Sequence, residues 1–152
     1  MHIVLVEPEI PGNTGNVARL CAATNSELHL VKPLGFSIED RYLKRAGLDY
    51  WHLVKVHIHE SFAEVAATYA GHNFYFNTTK ASKHYTEMTY QTDDFLVFGK
   101  ETAGLPEALL AANHENCIRI PMLNEARSLN LSNAVAIVVY EGLRQQNFIN
   151  LR

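Results

Sequence analysis

Asparagine, arginine, glutamate and serine side chains, set among glycines, recur in three short segments of this 152-residue chain. The first is Asn13-Thr14-Gly15-Asn16 with Arg19. The second is Gly99-Lys100-Glu101-Thr102-Ala103-Gly104-Leu105-Pro106, and the third is Ser128-Leu129-Asn130-Leu131-Ser132-Asn133. Amides and hydroxyls orient ligands by hydrogen bonding, and a guanidinium grips phosphate through two parallel donors. Glycines let a ligand or a second loop lie against the main chain. Taken singly, Asn13 is what a helix cap requires and Glu101 is an ordinary surface carboxylate, free to neutralise Arg19 or accept from a hydroxyl. The third segment, however, holds four amide or hydroxyl side chains in six positions, where a helix cap uses one or two. That excess predicts ligand contacts. Nucleotide fingerprints fit poorly. Gly12 and Gly15 miss the Gly-x-Gly-x-x-Gly spacing, and Phe98-Gly99-Lys100-Glu101 puts a carboxylate where a P-loop needs a magnesium-binding hydroxyl.

Each segment follows an apolar stretch of strand character, directly or by way of a proline-bearing connection. Residues 3–6, 28–31, 53–58, 73–78, 95–98 and 117–120 read as strands. Between them, residues 15–24 read as a helix, Ser37 with Asp40 opens one running to Ala46, and Ser61 with Glu64 opens another closing near Gly71. Pro106 suits a helical first turn, residues 80–90 read as a polar loop, and a last helix runs from Leu131 to about Gln146. Alternating strands and helices predict one α/β domain over residues 1–152, with a largely parallel sheet covered by helices on both faces. Ligands of such sheets bind outside the carboxyl ends of the strands. The three segments are therefore expected to form one composite site, with the first helix N-terminus and Arg19 attracting phosphate.

Residues 134–140 of the last helix are apolar around the whole circumference, which predicts burial on two sides and a second copy of the chain as the partner. Tyr140 falls on that helix as an interface aromatic. With 47% apolar residues the chain can build a core without metal or disulfide staples. Cys21 and Cys117 read as reduced core thiols, and no two of the eight histidines stand at the spacing of a helical zinc site, so no metal is expected. The histidines are expected to be scattered, most of them at the surface or half-buried. No signal peptide and no apolar run near a membrane span is present, which predicts a cytoplasmic location and no membrane contact. Net charge is −3, yet Arg41, Lys44 and Arg45, and then Lys80 and Lys83, gather cations locally. RNA contact and a solvated helix face account for the first cluster equally well.

Taken jointly and in order, Asn13-Thr14-Gly15-Asn16-x-x-Arg19, Phe98-Gly99-x-Glu101-x-x-Gly104-Leu105-Pro106, and Ile120-Pro121-Met122 through Ser128-x-Asn130-x-Ser132-Asn133-Ala134 resemble the three motifs of SPOUT RNA methyltransferases. The opening Glu7-Pro8-Glu9-Ile10-Pro11 and the segment from Lys44 to Tyr50 resemble the TrmL/YibK group, whose members 2′-O-methylate the wobble nucleotide of leucine tRNAs. The resemblance implies a trefoil knot near the carboxyl terminus, S-adenosyl-L-methionine as cofactor, tRNA as substrate, and a homodimer through terminal helices. Carried over by position, the cofactor contacts are Asn77, Gly99, Ile120 and Ser128, with Met122, Leu129 and Leu131 lining the pocket. Arg19, Asn13, Glu101 and Asn130 match the catalytic cluster. A guanidinium stays protonated, so Arg19 is expected to act electrostatically and on phosphate rather than as a base. The sulfonium donor leaves as a neutral group, so the reaction requires no metal. Other RNA sites, a phosphate-binding nucleotide protein and a non-catalytic dimeric RNA-binding module are the alternatives.

Overall fold

Successive residues of a strand point to opposite faces of its sheet, and the first strand shows what both faces demand. In the computed structural model, which describes residues 1–38 and 51–152, β1 (His2–Val6) sends Ile3 and Leu5 into one apolar layer and Val4 and Val6 into another. It is joined by β2 (Glu27–Val31), β3 (Val56–His59), β4 (Phe74–Asn77), β5 (Lys83–His84), β6 (Phe95–Phe98) and β7 (Cys117–Arg119). The strand order is β3-β2-β1-β6-β4-β7-β5, and every pairing is parallel. Parallel neighbours need crossovers, among them helices α1 (Pro11–Thr24), α2 (Phe62–Thr68) and α3 (Glu107–Ala112); α4 (Leu131–Gln145) follows the last strand. Val17 of α1 and Val135 of α4 pack with Ile3, Leu5, Leu28, Leu30 and Leu96, while Val65 of α2 and Leu110 of α3 pack with Val4, Phe76 and Val97. Each fully buried aliphatic side chain contributes roughly 1.5–3 kcal/mol.

The expected α/β architecture is present, with adjustments that have physical causes. β6 matches its predicted span and is buried at all four positions. α1 starts at Pro11 rather than at residue 15, because the fixed φ of proline suits the first helical position. Residues 51–53 form a 3₁₀ turn, so β3 starts at Val56. The stretch read as a polar loop contains β5, whose two polar residues are too few to show alternation. Ser61 caps α2 by accepting from Glu64 N–H, as the capping pattern predicts, while the Glu64 carboxylate accepts from Glu60 N–H, one residue before the cap. Residues 39–46 of the helix expected from Ser37 to Ala46, and with them the Arg41, Lys44 and Arg45 cluster, lie outside the described residues.

Most of the eight histidines are exposed or half-buried, as expected, but four of them are not scattered. His2, His29, His57 and His59 come from β1, β2 and β3 and meet on the Val4 face. His29 is fully buried and His59 nearly so. Burial pushes the His29 imidazole down to about 3 and that of His2 down to about 4, which keeps both neutral. A helical spacing rule misses them because parallel strands align residues that are far apart in the chain. Cys21 and Cys117 are buried free thiols, as expected, and burial pushes Cys21 up to about 12.

Candidate active site

β1 is followed by Glu7, whose φ of +52° is a left-handed conformation that costs energy for a residue with a side chain. The turn is held from outside. Glu7 N–H donates to Val31 C=O, and the Glu7 carboxylate takes Lys100 Nζ at 2.8 Å. Two residues on, Glu9 accepts from both the backbone N–H and the hydroxyl of Thr102, and these bonds hold its carboxyl below the usual range. In return, Glu101 accepts from the N–H groups of Glu9 and Ile10 at 2.8 and 3.1 Å. The loops after β1 and β6 thus clamp one another reciprocally.

Glu101 reaches further. Its Oε1 accepts from Asn13 Nδ2 at 3.0 Å, and Asn13 Oδ1 accepts from Asn130 Nδ2 at 3.0 Å. Asn130 Oδ1 then caps α4, accepting from Ser132 N–H and Oγ and from Asn133 N–H. One hydrogen-bonded line therefore runs through all three sequence segments, across residues separated by as many as 117 positions. It also corrects two expectations. The anion at the α1 N-terminus is the Glu101 carboxylate of the protein itself, which the helix dipole favours, so a phosphate is not drawn there. Of the four polar residues in the third segment, Asn130 supplies the cap and the Ser132 hydroxyl joins it.

Glycine at position 99 has a use within its own loop. A Cβ there would stand 2.0 Å from the Gly104 carbonyl carbon, so Gly99 admits the backbone of its own loop. Gly104 takes φ +70°, as its type suggests, and its N–H closes the turn onto Lys100 C=O.

Outside the carboxyl ends of β4, β6 and β7 lies a cavity of about 590 Å³, within the range of roughly 300–1,000 Å³ typical of cofactor sites. Asn77, Gly99, Ile120, Met122, Ser128, Leu129 and Leu131 all line it, as do Asn13, Glu101 and Asn130. Arg19 does not. It lies on the exposed side of α1 with Asn16 and Ala23, about 12 Å along the helix from Pro11 at 1.5 Å per residue. Motif reading passed over Thr78, Thr79 and Arg127, which also line the cavity; only position in the fold reveals them. Lys80 lines it too, but Lys80 pairs with Glu107 and Lys83 with Glu115, so this cation pair is locally neutralised. Asn77 Nδ2 is buried without a hydrogen-bond partner, a costly arrangement unless a ligand acceptor meets it. An apolar wall from Ile120, Leu129 and Leu131 with an unsatisfied amide suits a cofactor that combines an aromatic base with polar substituents.

Residues 1–140 match the SpoU rRNA Methylase family. The tRNA (cytidine(34)-2′-O)-methyltransferase of Methylovorus glucosotrophus is 50% identical, over 96% of this chain and 96% of its own. A structure described as showing the 2′-OH methylation of C/U34 on tRNA superposes with TM-score 0.92 at 42% identity, covering 97% of this chain and 96% of the other. An AdoMet-bound rRNA methyltransferase from Sinorhizobium meliloti superposes with TM-score 0.83 at 25% identity, covering 94% of this chain and 55% of the other.

Proposed function

The chain belongs to the SpoU rRNA Methylase family, and from that premise we propose that it methylates the ribose 2′-hydroxyl of nucleotide 34 in tRNA, using S-adenosyl-L-methionine. The observation that carries the reading is the line Glu101–Asn13–Asn130, which fixes three loops around one cavity of cofactor size. The relatives supply the substrate class. When bound, the cofactor supplies an electrophilic methyl group on a sulfonium centre. The protein contributes placement. Asn77 offers its unpaired amide to the cofactor, and Ile120, Met122, Leu129 and Leu131 exclude water from its apolar parts. Ser128 adds a polar contact.

Glu101 is a positioning residue. Its two oxygens already accept three N–H donors, so it orients Asn13 instead of taking a proton. Arg19 works from the exposed side of α1, where a fork of donors can hold an RNA phosphate and lend positive potential to the departing ribose proton. Holding oxygen, methyl and sulfur in line supplies much of the acceleration. We assign leucine isoacceptors, in the cytoplasm, as the tRNA substrates, on the resemblance of Glu7-Pro8-Glu9-Ile10-Pro11 to the TrmL/YibK group. Among the described residues no helix is long and apolar enough to cross a membrane.

The working unit is a homodimer through α4. Ile137 and Tyr140 are exposed on that helix, followed by Phe148 and Ile149, and α1 with Arg19 packs alongside. The carboxyl-terminal segment is read as knotted on the resemblance of its motifs to those of SPOUT methyltransferases. Calorimetric titration with S-adenosylhomocysteine tests the reading. One saturable site per chain, weakened by Asn77→Leu, is expected; no binding contradicts it. Sedimentation of Ile137→Asp should show monomers with reduced tRNA methylation, and a monomer with full turnover contradicts the dimer.

A further inference from the structure

The histidines on the Val4 face form a chain of polar contacts far from the cavity. His2 Nδ1 lies 3.0 Å from His29 Nε2, and His29 Nδ1 lies 3.0 Å from His59 Nε2. At the far end His59 Nδ1 faces the Glu64 carboxylate at 3.8 Å. At that distance there is no hydrogen bond, and His59 Nδ1 has no other partner; the Glu64 charge favours the tautomer with the His59 proton on Nδ1. His59 Nε2 then accepts from His29 Nδ1–H, which leaves the His29 Nε2 lone pair aimed at His2. The register of β1 and β2 puts Glu27 opposite His2, with Oε2 at 4.0 Å from His2 Nδ1. His57 Nε2 holds that same oxygen at 2.8 Å.

We propose that His2 Nδ1, His29 Nε2 and Glu27 Oε2 form a binding site for a divalent transition cation, Zn²⁺ foremost. Their ligand atoms all lie within 4.8 Å of one another. Two ligands about 2.0–2.1 Å from a tetrahedral ion stand about 3.3 Å apart, so closure takes shifts of a few tenths of an ångström, and somewhat more for Glu27. Two imidazoles and one carboxylate are a donor set that zinc uses, with a fourth position left for water; His2 and Glu27 are partly exposed, which opens the route from solvent. On binding, His2 moves its proton from Nδ1 to Nε2 and stays neutral, so no net proton is required from it. The supporting contacts are those that metal ligands use: His59 takes the second nitrogen of His29, and His57 orients the carboxylate. The cation would tie β1 to β2 at the amino end of the sheet, as a structural staple independent of methyl transfer.

The test uses the full chain without a histidine tag, stripped with chelator and titrated with Co²⁺ and then Zn²⁺. The expected result is one equivalent of Co²⁺ with visible bands of tetrahedral type, displaced by Zn²⁺, and a rise in melting temperature with Zn²⁺. His2→Gln and Glu27→Gln, both at partly exposed positions, should each weaken binding by more than about 100-fold, and His57→Gln by roughly tenfold. His114→Gln, on an exposed histidine elsewhere, should change nothing. Absence of saturable binding in the unsubstituted chain, or binding indifferent to His2→Gln and Glu27→Gln, overturns the site and leaves the contacts as hydrogen bonds only.

Discussion

The two ends of β1 are both polar, and they solve the same problem in opposite ways. At the carboxyl end, Glu7, Glu9, Asn13 and Glu101 are satisfied by loop backbone and by one another across three segments, and the wall beyond them encloses a cavity. From the amino end of β1, His2, His29 and His59 hydrogen-bond one another across three strands as far as the last residue of β3, packed against Phe95 and against Tyr69 at the end of α2. Loops can be shaped around a ligand because their backbone is not committed to the sheet. Strand side chains can only be aligned by register. The difference predicts that the carboxyl end governs turnover and the amino end governs stability, and substitutions can separate the two.

The largest effect is expected from Arg19→Ala, which should lower kcat/KM by about 10²–10³-fold, the range for loss of one preorganised electrostatic group. Arg19→Lys, which keeps the charge, should recover part of it. Near-normal turnover in both variants at saturating cofactor removes Arg19 from the mechanism. Glu101→Gln comes next. An amide nitrogen cannot accept, so at least one of three N–H donors loses its partner, a loss of about 1.5–3 kcal/mol for a charged acceptor. Steady-state kinetics should show roughly a 10- to 100-fold fall in kcat/KM; an unchanged value would dissolve the clamp between the two loops.

His29→Leu should do the reverse. It leaves a His2 donor and a His59 acceptor unpaired and should cost about 1–3 kcal/mol in urea unfolding, while the folded enzyme turns over normally. Reduced kcat at full folding would show that the two ends are coupled. The smallest effect concerns the apolar layer beneath both. Cys21 has its folded thiol raised to about 12 from 9.0 in the unfolded chain. Its contribution is complete below pH 9 and is lost as pH rises through that window, because only the unfolded chain ionises, at up to about 1.4 kcal/mol per pH unit. Cys21→Ala should flatten stability between pH 9 and 11; an identical slope would refute the assignment.

The same contrast explains what was legible in the sequence. β6 and α4 were readable because their apolar runs are continuous, and Asn13, Glu101, Ser128 and Asn130 were readable because each loop presents its polar groups within a few positions, whereas Asn77, Ile120 and Met122 came only through the family resemblance. Arg19 was legible as a motif residue, but its place two turns along α1 depended on where the helix begins, which Pro11 decides. The role of Gly99 was hidden because its near neighbour is its own loop at Gly104. β5 and the histidine chain were hidden more deeply. Each strand contributes only one or two residues to them, and nothing short of the strand order brings His2, His29 and His59 together.

The central claim is that three loops converge to place a methyl donor beside a ribose of nucleotide 34. Incubating the protein with unmodified leucine tRNA transcript and S-adenosylmethionine bearing a deuterated methyl group, then mapping nuclease fragments by mass spectrometry, tests it most directly. The account predicts one labelled methyl, on the 2′-oxygen of nucleotide 34, and its loss in Arg19→Ala. Label on a base or at another nucleotide, or no label from a dimer that binds S-adenosylhomocysteine, would contradict it.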